Sequence, residues 1–131
     1  MVVLDTTFII HFLNNKKNAI EKANTFSEPV STTRLNVFEV LVGIHSKKSE
    51  ETENALLFFN DFLYSVKVLE LDQKSAELAA RISAELNRKG QTVYDNDILI
   101  AAIALTNNEN TIITENVKDF SKIKGLKIEK Y

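Results

Sequence analysis

Short aliphatic runs alternate along this chain with longer stretches of helical period. Val2-Val3-Leu4, Val30 to Thr32, Val66 to Leu71, Thr111 to Thr114 and Leu126 to Ile128 are brief and mostly β-branched or aliphatic. That is the pattern of parallel strands covered on both faces. Between them, Thr7 to Leu13, Ala19 to Phe26, Leu35 to Ser46, Glu51 to Tyr64, Ser75 to Lys89 and Asp97 to Leu105 repeat apolar positions at helical spacing. Gly43, Gly90, Gly125 and Pro29 are the only strong breakers, which favours long helices and short loops over a many-turned β fold. The alternation predicts a three-layer α/β/α architecture with right-handed crossovers and a ligand site beyond the C-terminal ends of the strands.

Two of the helical stretches are legible in more detail. From Ser75, the residues Leu78, Ala79, Ile82 and Leu86 form one stripe and Glu77, Arg81, Glu85 and Arg88 another, with Asp72 placed as N-cap and Gly90 just past the end. Glu77–Arg81 and Glu85–Lys89 are spaced as i,i+4 pairs on a solvated face, worth a few tenths of a kcal/mol each. Ile98 to Leu105, by contrast, is apolar on every side, so it is expected to be a central helix.

Composition narrows the class. With 131 residues, 44% hydrophobic and 26% charged, the chain is expected to be one globular domain over residues 1–131. Sixteen Lys plus Arg against 18 Asp plus Glu leave a net charge of −2, so contact with nucleic acid requires a local basic patch. The absence of cysteine removes disulfides, thiolate zinc sites, iron–sulfur clusters and cysteine nucleophiles, and fits a reducing, cytoplasmic setting. Val2 to Leu13 is mostly apolar, yet Asp5, Thr6, Thr7 and His11 interrupt it and no basic residue precedes it, unlike a secretory signal. The longest apolar run, Ile98 to Leu105, is eight residues, far below the roughly 20 that span a bilayer.

The chemistry lies in the acids. Asp5 falls where the first strand passes into a helix, a position suited to capping that helix or to standing at the mouth of the sheet. Glu39 shares a helical face with Asn36, Gly43 and Ser46, which is either a solvated stripe or one wall of a cleft, with Gly43 admitting a close neighbour. Asp95-Asn96-Asp97 opens the all-apolar helix, where one residue suffices as a cap and acids favour the helix dipole. Thr111 to Thr114 runs into Asn116 and Asp119, again just after a strand, where loop chemistry is the plain alternative.

No one of these positions is specific, but the topology can bring them all to one sheet edge. Clustered carboxylates repel and raise one another's pKa unless a divalent cation compensates. An oxygen-only donor set without cysteine favours Mg²⁺ or Mn²⁺ over zinc, and such a site activates water against a phosphodiester.

In that order, Val3-Leu4-Asp5-Thr6, Asn36-Val37-Phe38-Glu39-Val40-Leu41-Val42-Gly43-Ile44, Asp97-Ile98-Leu99-Ile100-Ala101-Ala102 and Ile113-Thr114-Glu115-Asn116-Val117-Lys118-Asp119-Phe120 resemble the PIN-domain ribonucleases, especially VapC-type toxins. The resemblance runs from Met1 to about Ile128. It implies a PIN-like α/β/α fold with a parallel sheet ordered 3-2-1-4-5 and Mg²⁺- or Mn²⁺-dependent endoribonuclease activity. It also implies a homodimer and a small cognate antitoxin, an arginine of which neutralises the acidic groove. Asp5, Glu39 and Asp97 carry over as metal ligands. The fourth position, often Asp in the family, is Asn116 here, with Asp119 three residues on; either fills that role. Thr6 and Thr114 are expected to orient a carboxylate or a water, and Asp95 to stand in an outer shell.

RNA is expected to be steered by some of Lys16, Lys17, Arg34, Lys47, Lys48, Arg81 and Arg88, most of which are equally well explained as solubilising surface. His11 and His45 sit within apolar stretches and receive no catalytic role. Rival classes fit less well. A receiver-like domain wants a second acid beside Asp5, and a haloacid-dehalogenase-like phosphatase wants an Asp two positions after it, where Thr7 stands. A PIN nuclease of RNA maturation or decay, and a catalytically weak α/β binding domain, remain the alternatives within this architecture.

Overall fold

Strand β1 (Val2–Leu4) leads directly into helix α1 (Thr6–Leu13), and a short α2 (Lys17–Ala23) returns the chain to β2 (Ser31–Thr33). Helices α3 (Arg34–Ser46) and α4 (Thr52–Tyr64) precede β3 (Lys67–Leu69), and the pair α5 (Gln73–Arg88) and α6 (Asp95–Thr106) precedes β4 (Thr111–Ile113). A one-turn helix α7 (Val117–Phe120) and β5 (Lys127–Glu129) complete the order. This computed structural model describes residues 2–47 and 49–131.

The five strands form one parallel sheet in the order β3-β2-β1-β4-β5. Register places Val3 opposite Ser31 and Leu4 opposite Ile113. The two halves of the sheet grow away from β1 and β4 in opposite directions, so the crevice of an open α/β sheet falls at the C-terminal ends of those two strands. Asp5 follows one of them and Thr114 the other. The backbone N–H of Asp5 donates to the Ile113 carbonyl at 3.1 Å, which holds the two strand ends together.

Side chains alternate across the sheet as a strand requires. Leu4 and Ile113 pack with Phe8, Ile9, Val37, Val40 and Phe59 on one face. Val3 joins Ile103 and Ala104 on the other, where Ile112 meets Ile100, Ala101 and Phe120. Helix α6 is buried along Ile98 and Ile100–Ala104, as its unbroken apolar sequence predicts, and α5 closes over its outer side through Ala79 and Leu86, joined by Val93 of the connecting segment. Each fully buried aliphatic side chain here contributes about 2 kcal/mol of transfer free energy.

The predicted elements are present, β1 with both ends as expected and the others with ends displaced by at most three residues. Helix α6 starts at Asp95 rather than Asp97, with Tyr94 at the N-cap, so the acidic trio fills its first turn instead of capping it. Asp72 caps α5 through the Ser75 N–H at 2.9 Å, and Gly90 follows with a φ of 68°, both as expected. Of the two predicted surface pairs, Lys89–Glu85 forms at 3.2 Å. Glu77 instead accepts from the Gln73 amide at 2.9 Å. Helix α7 is an addition, since Glu115 to Phe120 reads locally as a post-strand loop. Gly43 does not serve a close approach, because the space around it is open.

Candidate metal-dependent active site

Asp5 occupies the N-cap position of α1 but its side chain makes no capping bond. It turns into the crevice, where Oδ2 accepts from the Thr114 hydroxyl at 2.6 Å and Oδ1 from the Asn36 amide at 3.1 Å. The choice left open by the sequence is thereby decided by geometry: the carboxylate is almost wholly buried and faces the other acids. Burial pushes its pKa up, opposed by the bonds from Thr114, the Thr6 backbone and Asn36 and reinforced by the charge of Glu39.

Glu39 projects from α3 toward the same point. Its Oε1 accepts from the Thr6 hydroxyl at 2.5 Å and its Oε2 from the Asn96 amide at 3.5 Å. The polar stripe on α3 therefore faces a cleft at Asn36 and Glu39, while its far end, Gly43 and Ser46, lies at the surface.

Asp97, in the first turn of α6, carries the clearest electrostatic mark. Its carboxyl is raised from 3.8 to about 6, first by burial and then by the charges of Asp5, Glu39 and Asp119. Three carboxyl groups from other parts of the chain thus bear on Asp97 at the sheet's C-terminal mouth. The Asn116 amide donates to Asp97 Oδ2 at 3.2 Å and to Asp119 Oδ2 at 3.4 Å, while its backbone N–H donates to the Thr114 hydroxyl at 2.9 Å. Asp119 is also braced by Lys122 at 3.6 Å.

The sequence-derived set is largely brought together. Asp5, Glu39, Asp97, Asn116 and Asp119 gather with Thr6 and Thr114, whereas Asp95 points outward, is exposed and joins none of them. Asp95 fails as an outer-shell residue because it is the first residue of α6, two positions before Asp97 and so on a different side of the helix. Two contributors escape the sequence reading as site residues: Asn36 and Asn96. The signal for the first was its spacing of three residues from Glu39, which places both on one helix face.

The donor chemistry suits a hard divalent cation, since carboxylate oxygens converge and neither sulfur nor imidazole intrudes. Among the described residues no three such groups are drawn together closely enough to hold an ion as they stand. The amides of Asn36, Asn96 and Asn116 occupy lone pairs that an ion would share.

The basic residues are less convergent. Arg34 is engaged by Glu70 in a two-pronged bond at 2.9 and 2.6 Å, and Lys16, Lys17, Lys47, Arg81 and Arg88 are exposed; Lys48 lies outside the described residues. His11 lies near the site but bonds the Tyr131 hydroxyl at 2.8 Å, while His45 is at the surface. Burial, with the charges of Glu115 and Asp5, holds that Tyr131 hydroxyl well above the ordinary tyrosine value.

Comparison with known proteins agrees with this architecture. The PIN domain family model matches residues 2–126. The tRNA(fMet)-specific endonuclease VapC of Salmonella typhimurium is 30% identical over 97% of this chain and 95% of its own. The structure of DNA-bound VapBC from the same organism superposes with a TM-score of 0.85 at 29% identity, covering 98% of this chain and 96% of that one. A VapBC2 structure from Rickettsia felis, bound to a promoter DNA fragment, shares the fold with a TM-score of 0.87 at 23% identity, over 100% and 99% of the two chains. The chain belongs to the PIN-domain family, among its VapC-type members. Among the described residues, no helix is long and apolar enough to cross a membrane.

Proposed function

We propose that this chain is an Mg²⁺- or Mn²⁺-dependent endoribonuclease, the toxin of a VapBC-type pair, acting as one PIN domain over residues 1–131. The observation that carries the reading is the convergence of Asp5, Glu39 and Asp97 at the switch point of the sheet, where Asp97 feels three other acids. Three carboxylates kept together in a partly buried crevice are a standing electrostatic cost, and a divalent ion is what offsets it. The substrate class is taken from relatives named as ribonucleases and a tRNA endonuclease.

In this account Asp5, Glu39 and Asp97 hold the ion, and Asn116 and Asp119 complete the rim. When bound, a divalent cation lowers the pKa of a water and stabilises the leaving oxygen of the phosphodiester. The chain's own work is orientation. Thr114 and Asn36 fix the two oxygens of Asp5, Thr6 fixes Glu39, and Asn116 fixes Asp97. None of these side chains is assigned as a nucleophile. Exposed Lys and Arg residues supply the attraction for phosphate, and RNA as substrate sets the enzyme in the cytoplasm.

An antitoxin partner is supported by a relative solved as a member of the VapBC family of toxin–antitoxin systems; in this account that antitoxin is small and covers the acidic groove, and a second copy of the chain makes a homodimer. Phe38 and Val42 on α3 and Leu57 and Phe58 on α4 stand exposed, apolar area that suits such covering.

The test is cleavage of a labelled RNA panel containing tRNA and rRNA fragments, with Mg²⁺ or Mn²⁺ against EDTA. Cutting that needs the metal and vanishes in Asp5→Asn supports the assignment. Folded, inhibitor-free protein that cuts nothing with either metal refutes it.

A further inference from the structure

Asn36 is fully buried and, unlike the acids, has no titratable chemistry of its own. It is nonetheless the residue at which the helix cap and the site meet. Thr33 caps α3, its hydroxyl accepting from the Asn36 N–H at 3.2 Å. In return the Asn36 side-chain oxygen accepts from the Thr33 backbone N–H at 3.2 Å and from the Thr33 hydroxyl at 2.7 Å.

A backbone N–H can only donate, so the end of the amide facing Thr33 must be its oxygen. The NH₂ end is thereby forced toward the site, where it donates to Asp5 Oδ1 at 3.1 Å and to Thr6 Oγ1 at 3.0 Å. This second bond has a directional consequence. With Thr6 Oγ1 accepting from Asn36, its single proton is directed at Glu39 Oε1, 2.5 Å away. One amide thus sets Asp5 directly and Glu39 through a hydroxyl, and the backbone of β2 sets the amide.

We infer that Asn36 is a positioning residue for both Asp5 and Glu39, fixing the distance and facing of two carboxylates that the proposed metal site needs. The inference rests on the metal-dependent nuclease reading. A cap serves the stability of α3 alone, whereas a positioning residue is felt at the ion even while the fold is intact. The two roles separate because Thr33→Ala removes the capping hydroxyl but keeps the Thr33 N–H that orients the amide, while Asn36→Ala removes the amide.

The experiment compares wild type, Asn36→Ala and Thr33→Ala at a temperature where thermal melts show all three folded. Mn²⁺ affinity is read by calorimetry with the metal alone, and RNA cleavage as separate kcat and KM. Expected are a loss of Mn²⁺ affinity of about tenfold or more and a fall in kcat with little change in KM for Asn36→Ala. Thr33→Ala should lower the melting temperature while its Mn²⁺ affinity stays within about twofold to threefold.

Equal Mn²⁺ affinity in wild type and Asn36→Ala, with wild type still cutting RNA, overturns the positioning role and leaves the nuclease reading intact. Equal losses of affinity in both variants also overturn it, since the cap then accounts for the effect. Should wild type bind Mn²⁺ without cutting RNA, the nuclease reading fails while the affinity comparison still decides the role of Asn36. Wild type that binds no Mn²⁺ overturns both.

Discussion

The two ends of the sheet each bury a carboxylate, and they treat it in opposite ways. At the C-terminal end, Asp5 receives the Thr114 hydroxyl, the Asn36 amide and the Thr6 backbone, and lies open to the crevice shared with Glu39 and Asp97. Near the N-terminal end, Glu109 is 1% exposed, accepts a single long bond of 3.3 Å from Ser31, and has no partner for Oε2 among the described residues. A buried polar group is tolerated only when hydrogen-bond partners satisfy it, so the two acids differ in what replacing the carboxyl should do. Neutral donors around Asp5 orient it without neutralising it, and that leaves its charge available to a cation. Glu109, with Ser31 as its one side-chain donor among the described residues, has nothing comparable.

The contrast is sharpest in activity. Asp97→Asn is expected to lower RNA cleavage by about a thousandfold or more, because a ligand in the middle of the acid cluster is lost. Glu109→Gln should leave cleavage within about twofold of wild type; a comparable loss there would break the comparison. Next in size is ligand-linked stability. Mn²⁺ at about 100 times its dissociation constant should stabilise the wild-type fold by about 2.7 kcal/mol, seen as a raised melting temperature that EDTA reverses. In Asp97→Asn that rise should nearly disappear, while Glu109→Gln keeps it.

The pH dependence has a definite sign. The folded chain holds the Asp97 carboxyl at about 6 against an ordinary value of 3.8, so it binds that proton more tightly than the unfolded chain does. Ionisation then opposes folding above about pH 6, and the opposition fades as pH falls toward about 4. In metal-free protein, the melting temperature of wild type relative to Asp97→Asn should therefore rise as pH is lowered from about 7 to about 5. A difference that stays constant across that range would show that Asp97 is not held among like charges. The smallest effect is at the other end of the sheet: Glu109→Gln should change stability by about 1 kcal/mol or less, measured by denaturant unfolding, and a loss well beyond that would show that Oε2 has a partner.

Much of this was legible in the chain itself, for reasons that differ by residue. The parallel sheet follows from five short aliphatic runs, and the buried character of α6 from a stretch with no polar side from Ile98 to Leu105. Asp5 and Asp97 stood out because one follows a strand and the other lies in the first turn of a helix at ends that the topology brings to one edge, and Glu39 because it shares a polar helical face with Asn36. Asn36 was hidden because its importance lies in a tertiary bond to Asp5, 31 residues away, and sequence shows only that it shares a face with Glu39. Asp95 stands apart from the site for the opposite reason: nearness to Asp97 in sequence suggests a shared site, but helical residues two positions apart diverge by about 200°. The helix ends shifted where caps compete, as at Tyr94, which precedes three residues able to cap and takes the position itself.

The central claim is that an ion belongs at the C-terminal mouth and nowhere else in the sheet. Crystals of the wild-type chain soaked in Mn²⁺ and measured for anomalous scattering at the manganese edge test it most directly. The account predicts a peak within coordination distance of oxygens of Asp5 and Asp97 and within reach of Glu39. No peak there at saturating Mn²⁺, or a peak beside Glu109, would contradict it.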